Sequence, residues 1–178
     1  LFTAEEAYSK VAEYKERGYD FIKTYYGLTG ELFDAVIEKS GELKFDIVAH
    51  PTPKVPYSYH FKPEIVTIEH AEDIVQLPLN YRLDTTQLDT VVDLFAAHPN
   101  TKLCPTLVVY HNIYRLLTEE NILQSEALKN MNPLIRAVDS QAQFDRWAGT
   151  KSSDSTIVSR IKDQHDFHLL AIKKLHER

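Results

Sequence analysis

The sequence predicts an α/β fold in which parallel strands are covered by helices. Three observations carry this expectation. Short apolar runs alternate with helix-period segments from Tyr19 to Tyr110; each run is nearly continuous in apolar character, as strands buried on both faces are; and each run closes on polar residues. Crossovers between such strands are right-handed.

The elements follow in order. Thr3 and Glu6 have capping-box spacing, and Ala7, Val11 and Tyr14 recur at helical intervals before Gly18, so residues 3 to 17 are predicted as a helix. Tyr19 to Tyr25 is rich in strand formers. Thr29 then caps a helix with Leu32, Phe33, Val36 and Ile37 on one face, ending at Gly41. The pattern repeats in strands from Lys44 to Pro51 and from Glu64 to His70, followed by a short helix over AEDIVQL. Leu88, Val91, Val92 and Phe95 mark a core-facing helix that ends near the turn at His98 to Asn100. The next strand is KLCPTLVVY, ending at Tyr110.

Beyond Tyr110 the pattern changes. Helical fragments broken at Asn130 to Pro133 read as an insertion over about residues 112–150, and from Ser155 a long helix carries the stripe Ile157, Val158, Ile161, His165, His168, Leu169, Ile172 and Leu175. No strand follows, and no linker or repeat divides the chain, so residues 1–178 are expected to be one segment of a single domain. The start at Leu1 inside a helix pattern suggests trimming at the front.

Composition bounds the function. The 178 residues are 43% hydrophobic and 26% charged, enough apolar material for a core. The formal charge of -6, with only 20 Lys and Arg, argues against a nucleic-acid partner. No run approaches the roughly 18 apolar residues of a membrane helix, so no membrane partner is expected. Cys104 is the lone cysteine and cannot form an internal disulfide; inside a strand its default is a buried, inert thiol. The compartment stays open.

Lys23, His50 and His70 each lie near the C-terminal end of a predicted parallel strand, the face where barrel enzymes place their active sites. Two imidazoles suit zinc and related ions. A lysine within a strand is almost never fully buried without a partner. Each has a plain structural alternative: a histidine after a strand commonly serves as a hydrogen-bonded structural residue, and a strand lysine can extend its head to water. His165 and His168 lie three apart on the apolar stripe of a helix, where packing is the reading. His60, His98, His111 and His176 fall in loops or at helix ends.

The segments GYDFIKTYYGLTGELFDAVIEKS, IVAHP, VTIEHAED, LCPTLVVY and HLLAIKKLHE resemble, in order and spacing, the imidazolonepropionase-like and prolidase-like branch of the amidohydrolase superfamily, over nearly the whole chain. The resemblance implies a (β/α)8 TIM barrel, of which this chain would supply strands four to seven, a partial barrel. It implies a divalent metal, with zinc the first expectation and a binuclear site in the parent enzyme. Lys23 matches the lysine carboxylated by CO2 that bridges two metals, and His50 and His70 match the fifth- and sixth-strand ligands. Glu69 positions its strand in this reading.

What it implies chemically is hydrolysis of C–N bonds, in a small-molecule or dipeptide-like substrate, by metal-activated water. Tyr110, at a strand end, would donate a hydrogen bond to a substrate carbonyl or serve as a rim tyrosine. The family's first-strand His-x-His pair and eighth-strand catalytic aspartate have no counterpart in these residues, so no catalytic base is assigned and the chain by itself is expected to be inactive. The competing expectation is a non-catalytic half-barrel that binds or scaffolds. Open sheet edges make self-association an expectation of either.

Overall fold

The computed structural model describes residues 3–178. The chain divides into two compact units. The first runs to Thr106 and takes in Ala171–Arg178; the second spans Leu107–Leu170.

In the first unit, α1 (Ala4–Glu16) begins with the expected capping box, in which the Thr3 hydroxyl accepts from the Glu6 N–H and the Glu6 carboxylate reaches back to Thr3. Gly18 then takes the left-handed φ of 81° that lets the chain turn into β1 (Phe21–Thr24). Thr29 caps α2 (Gly30–Leu43), which runs past Gly41; the left-handed residue that stops it is Lys44. β2 (Asp46–Ala49), β3 (Ile65–Glu69), a short α3 (Glu72–Gln76), α4 (Thr85–Ala97) and β4 (Lys102–Cys104) follow. Asp84 caps α4 by accepting from the Thr86 and Gln87 N–H groups.

The four strands form one parallel sheet in the order β1-β2-β3-β4, with Lys23, Val48, Thr67 and Lys102 in one row. An irregularity in the β2–β3 register carries Ile65 and Ile68, three apart, onto the same covered face as Ile47 and Ala49. Val11, Phe33, Val36, Leu88 and Val91, on the helices of this unit, are buried as well. The opposite face holds Lys23, Thr67, Glu69 and Cys104, none of them buried. Four parallel strands with helices are an α/β fold compatible with part of a barrel.

In the second unit, α5 (Val108–Thr118) is followed by a 3-10 turn (Ile122–Gln124), α6 (Glu126–Lys129), α7 (Pro133–Ile135), a π-helical turn (Arg136–Ser140) and α8 (Gln141–Ser153). The long α9 (Ile157–Glu177) starts here, as its stripe predicts, although Leu169 is exposed. Leu117, Ile157 and Ile161 are the buried centre, flanked by Tyr110, Ile113, Tyr114, Trp147 and Val158.

Two expectations need correction. KLCPTLVVY is not one strand: β4 stops at Cys104, because Pro105 has no N–H to continue the ladder and Thr106 adopts a left-handed φ of 50°. LVVY therefore belongs to the start of α5, so Tyr110 is a helix residue and not a strand-end one. Helical structure accordingly begins at Val108, ahead of the expected 112, and the unit extends to Leu170. Cys104, expected buried, is exposed on the open sheet face. Among the described residues no helix is long and apolar enough to cross a membrane.

Candidate metal centre at the strand ends

β2 and β3 run side by side in parallel, so the residues just past their ends emerge together. The His50 N–H still bonds the Thr24 carbonyl of β1, and the His70 N–H bonds the Cys104 carbonyl of β4 at 2.8 Å, so both histidines are tied to the neighbouring strand at its end. Their rings face each other with centroids 4.7 Å apart at an interplanar angle of 62°. His70 holds a left-handed φ of 67°, an uncommon backbone for a residue with a Cβ and one that clusters at functional positions.

Lys23, from the neighbouring strand, has its Nζ 3.8 Å from Oε2 of Glu69, whose other oxygen accepts from the Thr67 hydroxyl at 3.2 Å. The lysine side chain is 43% exposed, so this is a partly solvated ion pair of small energetic weight. Tyr25 and Tyr26, both exposed, pack on His50 with centroid distances of 4.7 and 6.0 Å. The structure thus brings His50 and His70 together and puts Lys23 on the same sheet face as Glu69.

Burial lowers the His50 pKa to about 4, helped by the positive charges of His70 and Lys23 and opposed by Glu69. His50 is therefore a neutral imidazole at pH 7, the form that ligates metals. Its Nδ1 is buried without a hydrogen-bond partner among the described residues. The His70 Nδ1 lies 3.1 Å from the Thr106 hydroxyl. Asp73, on α3, is almost fully buried, and its pKa is pushed up to about 7 by burial and then by Glu72. Its Oδ2 sits 3.6 Å from Nε2 of His50.

Two imidazoles, one with an orphaned buried nitrogen, fit the nitrogen half of a metal site. Among the described residues, no group of three or more His, Cys, Asp or Glu side chains is arranged to hold an ion. The open sheet face beside them carries Lys23, Glu69 and Cys104.

Tyr110 lies on α5 of the second unit, where its hydroxyl meets the Gln164 amide at 2.8 Å and its ring meets His168 edge-on. His168 is buried, as its place on the stripe predicts. His60, expected only as a loop or helix-end residue, is fully buried: its Nε2 accepts the Thr52 N–H at 3.0 Å and Nδ1 donates to the Tyr57 carbonyl, pinning the loop after β2.

Sequence reasoning passed over Asp73 and Thr106. Asp73 lies within the short helix predicted over AEDIVQL, and its spacing of three from a strand-end histidine was the available signal. Thr106 was hidden inside a predicted strand.

No family model matches the chain, and no curated protein matches it. Among solved structures, a bottromycin amidohydrolase is similar over 97% of this chain, with a TM-score of 0.64 and 20% identity. The chain spans 38% of that protein's length. At this identity the likeness is one of fold.

Proposed function

We propose that this chain is a central portion of a metal-dependent hydrolase acting on carbon–nitrogen bonds, with His50, His70 and Lys23 as metal ligands. The observation that carries it is the pair of facing imidazoles at the ends of adjacent parallel strands, one with a buried and unpartnered Nδ1. The fold likeness to an amidohydrolase and the resemblance of the strand-end motifs point the same way.

Lys23 joins such a set only after its charge is inverted. Its neutral amine adds to the carbon of CO2, an N–C bond forms as one C=O pair moves onto oxygen, and the nitrogen releases a proton. The carbamate so formed offers two oxygen ligands. A bound divalent ion would lower the pKa of a coordinated water and polarise the scissile carbonyl. The substrate class is an amide, in a small molecule or a dipeptide-like compound. Tyr110, placed on α5, enters this reading only as a substrate-side hydroxyl. With two imidazoles and one lysine, the chain alone turns over no substrate in this reading, and it self-associates through its open sheet edges; monomer alone in light scattering would remove that last element.

The Lys23–Glu69 ion pair favours a second reading, a non-catalytic half-barrel in which these groups only stabilise the sheet. Titration with Zn2+ or Co2+ separates the two. The metal reading expects saturable binding weakened about tenfold or more by His50→Ala or His70→Ala, and a CO2 adduct on Lys23 by intact mass. Absence of binding, or affinity indifferent to both substitutions, decides for the scaffold.

A further inference from the structure

The second unit carries a further pair of histidines, His111 on α5 and His165 on α9. Three contacts fix how these two helices meet. The Tyr110 hydroxyl accepts from the Gln164 amide at 2.8 Å, the Tyr110 ring meets the His168 ring edge-on, and Leu117 shares a buried cluster with Ile157 and Ile161. Early residues of α5 therefore lie against later residues of α9, so the helices run antiparallel there. That register sets His111 opposite His165.

The two ring centroids are 5.9 Å apart, at an interplanar angle of 43°. With metal–nitrogen bonds of about 2.0–2.1 Å, two imidazoles sharing one ion hold their centroids roughly 5–6 Å apart. The observed spacing is that of two rings on a common ion. Neither ring is committed elsewhere. His111 is exposed, and its side chain makes no hydrogen bond among the described residues. His165 keeps 20% of its side-chain surface exposed, and its Nδ1 meets the adjacent Asp166 at 3.4 Å, the long limit of a hydrogen bond. Asp166 in turn is shared with Lys162 at 2.5 Å. His168, one turn further along α9, is buried against Tyr110 and takes no part. Among the described residues no group of three His, Cys, Asp or Glu side chains is arranged around an ion, so the protein offers two nitrogens here and water must complete the coordination.

We propose that His111 and His165 form a two-histidine clamp for a divalent transition ion of the imidazole-preferring class. Two imidazoles with no thiolate rank Cu2+ above Ni2+ and Zn2+. The bound ion ties α5 to α9 beside the small buried cluster of this unit. The clamp is independent of the strand-end reading, since none of its atoms belongs to that site.

Cu2+ is the probe. The full chain carrying His50→Ala and His70→Ala removes the strand-end imidazoles from the count, and calorimetric titration at pH 7.5 should still show one saturable ion. Adding His111→Ala or His165→Ala to that background should weaken binding by about tenfold or more. Electron paramagnetic resonance of the bound Cu2+ should show nitrogen couplings from two imidazoles, falling to one in each of the further variants. Circular dichroism checks that the fold persists; His111 is exposed, so its variant decides the matter even if His165→Ala unfolds. Absence of a saturable ion in the starting background, affinity indifferent to His111→Ala, or the same nitrogen couplings with and without His111 overturns the clamp. Each of these results leaves the strand-end reading where its own titration puts it.

Discussion

The two units of this chain are built on different terms. In the first, parallel pairing ties every strand to a neighbour, and fully buried residues occur both in the sheet, as Ile47, Ile65 and Ile68, and on its helices, as Phe33 and Leu88. In the second, Leu117, Ile157 and Ile161 form a small buried cluster, while Leu134, Ile135 and Val138 face solvent on short helical pieces joined by a π-helical turn. The difference teaches where precision is available. A strand-end side chain is located by two neighbouring strands at once, whereas a residue on a short helix is located by its own turn and a thin core. The candidate ligands His50 and His70 belong to the first kind of framework.

The sharpest way to break this comparison is to remove one buried side chain from each unit. Ile68→Ala, at the fully buried centre of the sheet, should cost about 3–5 kcal/mol, and Ile161→Ala, in the smaller core, about 2 kcal/mol, both read from urea denaturation. Equal costs would show that the second core is as tightly packed as the first.

Acid should come next in size and act on the second unit through His168. Burial, with the nearby His165 charge, lowers its pKa to about 4, below the ordinary 6.5. Between those values the unfolded chain binds the proton and the folded one does not, so stability falls as pH drops from 6.5 and the loss is complete near 4. The limit is about 3 kcal/mol for this group. His168→Leu should remove that part of the pH dependence from the denaturation midpoints; an unchanged profile would mean that His168 is not held neutral.

Smaller effects sharpen the local picture. Thr29→Ala and Asp84→Ala, which delete the caps of α2 and α4, should each cost about 1 kcal/mol by thermal or urea unfolding. Leu134→Ser, at a side chain 73% exposed, should change stability by less than about 0.5 kcal/mol; a larger loss would reveal that this face is covered in solution.

Much of the first unit was legible because its signals are local. Thr3, Thr29 and the helix stripes act within a turn or two of the chain, and the apolar runs around Ile22, Ile47 and Ile68 announce strands without knowledge of their partners. The candidate ligands were legible for the same reason, since a histidine directly after such a run lands at a strand end. LVVY was misread because β-branched residues favour strands only when a ladder is available, and Pro105 with the left-handed Thr106 closes the ladder first. Tyr110 moved with it.

From the residues alone, then, come the alternation of strands and helices, the N-caps of α1 and α2, and the placement of His50 and His70 after β2 and β3. Tertiary structure decided that the two rings meet at 4.7 Å, that Cys104 is exposed, and that Asp73 and Thr106 stand behind the histidines. The reason is one of range. Periodicity and capping are set between residues a few positions apart, while the partner of a side chain at the end of one strand is chosen by the register and exit path of the next, which no local pattern encodes.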